Sequence, residues 1–210
     1  MAFVLGSAAS WVQADEQEQE QEQEQEQEQE QERQQEQEEQ EHGDQSPSYT
    51  YLEVSSIAYD LDFGGIDVEP DGYKLKLSLA LGDSFFGVID RSNSDGKFAG
   101  SKYDFDIEGY GFGLRGDSWF ASYTNNTWEL NNNEFDVDTI RLGFRDSWTD
   151  RLEFNASYSW NNIEDADNDD GFQVGFLYRL GGNFNLVAEY ETIGGDLDID
   201  TLTAGIRITF

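Results

Sequence analysis

From Tyr73 onward, apolar residues alternate with small or polar ones at a period of two, most clearly in Tyr73–Leu81, Phe172–Leu180 and Leu202–Phe210. Side chains two apart share a face of a strand, so each run predicts a strand with one apolar face. Two kinds of connection alternate between the runs. One is short: Gly82-Asp83-Ser84, Gly116-Asp117-Ser118, Thr149-Asp150-Arg151 and Gly181-Gly182-Asn183. The other is longer and acidic: Gly64–Asp71, Asn93–Lys102, Asn131–Asp136 and Glu164–Asp170. The strands this predicts are 49–62, 72–81, 85–92, 103–115, 119–129, 136–146, 152–163, 171–180, 184–192 and 198–210. In the first of them neither face is consistently apolar.

Short turns at one end and longer loops at the other describe an all-β, up-and-down antiparallel barrel that crosses a membrane. Strand lengths suit tilted strands that need about 9–11 residues to cross a bilayer. The spacing predicts ten strands, with eight as the alternative if one hairpin is misread. An even count puts both termini at the short-turn end, which is the periplasmic side of such barrels. After the turns the chain re-enters with aromatics, in Ser84-Phe85-Phe86, Ser118-Trp119-Phe120 and Asn183-Phe184, where an interfacial belt belongs. A mean hydropathy of −0.71 does not oppose this, because a membrane barrel alternates lipid-facing with lumen-facing residues.

The charges indicate which face meets lipid. Tyr73, Leu75, Leu77, Leu79 and Leu81 oppose Lys74, Lys76 and Ser78; Ile140, Leu142 and Phe144 oppose Arg141 and Arg145. Phe154, Ala156, Tyr158 and Trp160 oppose Glu153, and Arg179 and Arg207 likewise fall opposite apolar sets. A charge facing lipid at the midplane costs about 2–4 kcal/mol, so the charged face is the lumen. Lys74, Lys76, Arg141, Arg145, Arg179 and Arg207 are then inward, with Glu189, Glu191, Glu153 and Glu108 as their candidate partners. Such a set is either an ion path or a charge network that fills the interior. The network is the simpler reading, since a barrel of this size has little free interior.

Two segments precede the barrel, which spans Ser48 to Phe210. Residues 1–14, MAFVLGSAASWVQA, read as the remnant of a signal peptide with a small-residue cleavage pattern, although no Lys or Arg follows Met1. A start codon assigned too late would explain the missing basic end. Residues 15–47 form a Glu/Gln-rich low-complexity linker; from Asp15 to Glu41 it holds 14 acids against Arg33 alone. It has no apolar surface to offset the entropy of ordering, so a disordered acidic tail is expected. The whole chain carries a formal charge of −33, which argues against a nucleic-acid partner. It has no cysteine, and its single histidine, His42, falls in the linker.

With the strands placed, the sequence resembles the small outer-membrane β-barrels of Gram-negative bacteria grouped as the OmpA-like and OmpX/Ail-type porin superfamily. The resemblance rests on Tyr49-Thr-Tyr-Leu-Glu-Val54, Asp71-Gly-Tyr73, Leu79-Ala-Leu-Gly-Asp-Ser-Phe-Phe86, Leu142-Gly-Phe-Arg145 and Thr149-Asp-Arg-Leu152. The terminal Phe210, with Ile208 and Ile206 at alternate positions, resembles the signal read by the barrel-assembly machinery, although an aromatic usually stands where Ile208 is. The resemblance implies the cell outer membrane as location, with outer-membrane lipid, lipopolysaccharide and that machinery as partners. A monomer with no cofactor is expected.

Enzymes of this architecture mostly use a histidine base, and none is available within the barrel, so no enzyme is expected. The acidic stretch Asp165–Gly171 invites a calcium reading, but an EF-hand wants Gly sixth and Glu twelfth, where Asp170 and Phe176 stand. The functional expectation is a structural or porin-like barrel with at most a narrow ion path. The alternative is a surface interaction module whose acidic loops bind lipopolysaccharide-associated divalent cations or a host ligand. A soluble barrel with an apolar lumen is a third possibility; it predicts apolar side chains inside and polar ones outside.

Overall fold

A computed structural model describes residues 47–62, 67–131, 133–164, 167–195 and 198–210. The signal-like segment, the Glu/Gln tract with His42, and part of the Asp165–Gly171 stretch lie outside the described residues. The strands are β1 (Tyr51–Asp62), β2 (Asp67–Val68), β3 (Asp71–Leu81), β4 (Phe85–Phe98), β5 (Ser101–Arg115) and β6 (Trp119–Leu130). They continue as β7 (Asn133–Ser147), β8 (Leu152–Ile163), β9 (Asp169–Gly181), β10 (Phe184–Gly194) and β11 (Asp198–Thr209). Each long strand pairs antiparallel with its sequence neighbours, and β11 pairs with β1, so ten strands close a barrel. The two-residue β2 folds back on β1 at Leu61 and Asp62.

The register fixes the barrel's shape. A path across the strands from Arg115 passes Phe120, Gly143, Ser157, Gln173, Glu191, Thr201 and Tyr59. It crosses β3 at the level of Pro70, whose carbonyl accepts from Tyr59 N, and returns to β5 through Gly96 at Tyr103. Positions 115 and 103 are twelve residues apart on one strand, a shear of 12 for ten strands. With ordinary strand spacing and rise, that sets a tilt of about 40° and a radius of about 10 Å.

One end carries the tight turns after β3, β5, β7 and β9, together with the entry to β1 and the end of β11; we call it the turn end. At the loop end the predicted long acidic connections largely dissolve into strand. β4 continues to Phe98 and turns through Ala99 and Gly100 alone, and Asp136 and Asp169 lie within β7 and β9. The reason is side-chain alternation: in Asp104-Phe105-Asp106-Ile107 and Phe135-Asp136-Val137-Asp138 the acids face out while the residues between them pack inward.

Two tiers result. Toward the turn end the exterior is apolar, with Leu75, Leu79, Phe112, Leu142, Phe176 and Leu202 all more than 40% exposed. An exposed apolar surface that circles the molecule far exceeds the patch of a few hundred Å² that water-soluble monomers tolerate, so it faces lipid. Phe85, Trp119 and Phe184 sit in it directly after their turns, each about half exposed. Toward the loop end the pattern inverts. Ile57, Tyr59, Leu61, Val68, Tyr103, Phe105, Trp128, Val137, Ile163, Ile193 and Ile199 pack together inside the barrel, each 9% exposed or less. Outside them run Asp60, Asp104, Asp136 and Asp198.

The tiers meet at repeated tyrosine–aspartate contacts between hairpin partners. Tyr123 Oη donates to Asp138 Oδ1 at 2.7 Å and Tyr190 Oη to Asp200 Oδ1 at 2.8 Å. Tyr158 donates to Asp170 in the same diagonal relation. An aromatic body in the apolar band with its hydroxyl in the polar zone marks the membrane boundary.

Candidate functional site

Below the inner apolar layer the lumen is polar, because the lipid-facing residues leave every alternate position free for charge. The structure places Lys74, Lys76, Arg141, Arg145, Arg179 and Arg207 on the inner face, together with Glu153, Glu189 and Glu191. Nearest the turn end, Arg207 donates from Nε and Nη2 to Glu53 Oε2 at 2.9 and 2.7 Å, and lies 3.6 Å from Glu189. Its guanidinium stacks on the Tyr51 ring at 4.0 Å. Arg145 Nε pairs with Glu153, whose other oxygen lies 3.6 Å from Arg179. Arg179 also donates to the Asp150 carbonyl at 3.1 Å and Ser147 Oγ at 3.0 Å.

Higher in the lumen a second network spans the barrel. Arg141 donates to Glu191 and to Gln173 Oε1, and Gln173 Nε2 donates to Glu189 at 3.2 Å. Lys74 pairs with Asp90 at 3.8 Å. These groups are largely removed from bulk water, so each pair must recover the desolvation cost of both ions through hydrogen bonds as well as charge. Glycines on the wall make room for the side chains opposite. Phe86 lies over Gly113, Phe120 over Gly143 and Asn155 over Gly175, each across a directly paired position where a Cβ would collide.

Glu108 is elsewhere. It sits on the outer face and pairs with Arg91 at 2.7 Å, because β5 points Ile107 and Gly109 inward. Two inward carboxylates escaped the sequence reading. Glu53 belongs to the strand whose faces looked mixed, although Leu52 and Val54 flanking it place it inward. Asp90 sits between Ile89 and Arg91, so charge occurs on both faces of β4 and masks its direction. Arg115 is also inward. Below the apolar layer, seven cations (Lys74, Lys76, Arg115, Arg141, Arg145, Arg179, Arg207) therefore meet five carboxylates (Glu53, Asp90, Glu153, Glu189, Glu191) among the described residues.

Between the ion pairs and the apolar layer remains a chamber of about 180 Å³, bordered by Lys74, Lys76, Arg141, Glu189, Glu191 and Thr124. Its ceiling is formed by Ile57, Phe105, Trp128 and Ile199, and its floor by Tyr49 and Tyr51. Tyr49 belongs to the short strap before β1. Its carbonyl accepts from Ser78 Oγ at 2.7 Å, its ring packs on Phe86 with centroids 4.9 Å apart, and Arg115 and Arg145 lie over it at 5.1 and 4.9 Å. Among the described residues no three of His, Asp or Glu converge to hold a metal ion. The acidic collar is thus an extended field rather than a chelating site.

At the C-terminus, Phe210 is 73% exposed, its N–H donates to the Thr50 carbonyl at 3.0 Å, and Ile206 faces outward at 48% exposure. Ile208, also on the outer face, pairs with Leu52 and Phe184.

No protein-family model matches the chain, and no curated protein matches it in sequence. Solved structures do match in fold. The β domain of the Bordetella autotransporter BrkA is 13% identical, covering 76% of this chain and 98% of its own, at a TM-score of 0.50. The translocator domain of autotransporter NalP from Neisseria meningitidis is 9% identical over 76% and 88%, at 0.46. Ail, the attachment invasion locus protein of Yersinia pestis, is 16% identical over 76% and 99%, at 0.33. The likeness to the BrkA domain, together with the apolar belt, makes this chain a small β-barrel of the outer-membrane type.

Proposed function

We infer that the protein resides in the outer membrane as a closed, structural barrel that carries no continuous ion path in this state. The turn end with both termini faces the periplasm and the acidic loop end faces outward. The observation that carries this reading is the inner apolar layer. Leu61 and Val137 are 0% exposed and Phe105 1%, so these side chains are closely packed across the loop-end interior. An ion crossing it would shed its hydration shell against hydrocarbon, at a cost of several kcal/mol even after relaxation.

The exposed Phe210 and the outward Ile206 supply a terminal strand suited to recognition by the barrel-assembly machinery through strand addition. The acidic collar favours contact with lipopolysaccharide through mobile counterions at the headgroup level. The barrel works as a monomer and performs no catalysis.

Single-channel recording on refolded protein in a planar bilayer tests the closed reading. A flat trace at physiological salt is expected; reproducible unitary steps from homogeneous folded protein would overturn it.

A further inference from the structure

We propose that the lumen chamber is a binding site for one small oxyanion, held by Arg145 and Lys76. Three independent features point to it. The first is charge: five cations line the chamber (Lys74, Lys76, Arg141, Arg145, Arg207) against three carboxylates (Asp90, Glu189, Glu191). The second is an unfilled donor. Arg145 is 6% exposed and borders the chamber, and its Nη2 has no hydrogen-bond partner, since Glu153 takes only Nε. The third is Lys76. Its side chain borders the same chamber and makes no hydrogen bond or close ion pair among the described residues, although its charge acts on Glu189 more strongly than that of any other cation.

The carboxylates on the chamber wall do not repel such a guest outright, because each is already held: Asp90 by Lys74, Glu191 by Arg141, and Glu189 by Arg207, Gln173 and the nearby charge of Lys76. A chamber of about 180 Å³ holds about six waters at roughly 30 Å³ each, enough for a phosphate-sized ion with part of its hydration. Charge-assisted hydrogen bonds from a guanidinium and an ammonium are the ordinary means of holding an oxyanion. Entry is from the turn end, past the Tyr49 and Tyr51 rings and the Arg145–Glu153 and Arg207–Glu53 pairs, since the apolar layer closes the loop end.

The test is calorimetric titration of the refolded full chain in detergent with inorganic phosphate, and in parallel with glycerol phosphate. Saturable binding is expected, weakened about tenfold or more by Lys76→Gln and by Arg145→Gln, and unchanged by Lys102→Gln on the outer face. A response to inorganic phosphate alone assigns a free anion; a response to both assigns the phosphate end of a larger molecule. Arg145→Gln also leaves Glu153 without its closest partner and can impair folding. Lys76→Gln breaks no close ion pair and carries the decision on its own. No saturable heat from the wild-type chain, or an affinity unaltered by Lys76→Gln in folded protein, overturns the proposal.

Discussion

Along β7 the two faces of one strand exchange chemistry. Phe135 and Val137 point inward at the loop end, and three residues later Ile140, Leu142 and Phe144 point outward toward the turn end. β5 does the same between Ile107 and Tyr110, and β11 between Ile199 and Leu202. No bulge accompanies the change in these strands, whose pairing runs on without a register shift. The backbone is therefore indifferent to which face is apolar, and the surrounding medium decides. Where lipid surrounds the barrel the apolar side chains go out and charge is hidden inside; where water surrounds it they go in. One closed sheet is a membrane protein in its lower tier and has the anatomy of a soluble barrel in its upper one.

The sharpest way to separate the tiers is to attack what fills each interior. Glu53→Ala strips Arg207 of its closest partner and leaves a guanidinium that is only 3% exposed. A loss of about 3–5 kcal/mol is expected, because an uncompensated buried charge remains. Urea titration of the refolded protein in micelles measures it. Phe105→Ala in the upper tier should cost about 3–4 kcal/mol through the cavity it leaves. Here a second readout distinguishes the tiers: hydrogen exchange should rise in the loop-end halves of β4–β7 while the turn-end halves stay protected. Uniform loosening of the whole barrel would mean that the two interiors are one cooperative core.

The outer faces give a matched pair of smaller effect. Leu142→Arg places a charge in the lipid-facing belt and should cost about 2–4 kcal/mol. Asp136→Arg, six positions away on the same outer face, lies in the aqueous collar and should stay within about 0.5 kcal/mol. Equal costs at the two sites, by the same urea titration, would show that lipid covers the collar too and that the tyrosine–aspartate contacts do not mark the boundary.

Much of the lower tier was legible in the chain, and the reason is physical. Lipid forbids charge so strictly that Lys74, Lys76, Arg141 and Arg207 declare their own faces and thereby their neighbours'. The upper tier was harder. Its signal was present, since Tyr103, Phe105 and Ile107 stand at odd positions while Tyr110, Phe112 and Leu114 stand at even ones. A dense run of aspartates reads as loop unless the apolar residues between them are followed in phase. The chamber was not legible at all, because its walls come from residues such as Arg145 and Lys76 that only closure of the sheet brings together. Glu53 and Asp90 mark the middle case: their facing was recoverable, but their partners were not.

The turns extend the contrast to the backbone. At the turn end the left-handed positions are occupied by glycine, with φ of 76° at Gly82 and 58° at Gly182. At the loop end Ala99 and Asn131 adopt φ of 50° and 53°. Ala99 and Gly100, both at positive φ, make the two-residue turn between the paired Phe98 and Ser101. Two successive positive φ values are the type I′ hairpin geometry, in which Asn or Gly is preferred at the first position because a Cβ with no local hydrogen bond is penalised there. Ala99→Asn should therefore stabilise the β4–β5 hairpin by about 0.5–1 kcal/mol. Because the gain is local to the upper tier, it should appear as slower exchange of amides near Phe98 and Ser101, with the turn-end amides unchanged. A destabilised or unaltered hairpin would show that the turn is set by the packing of Tyr103 over Gly96 beneath it, with the residue at 99 merely following.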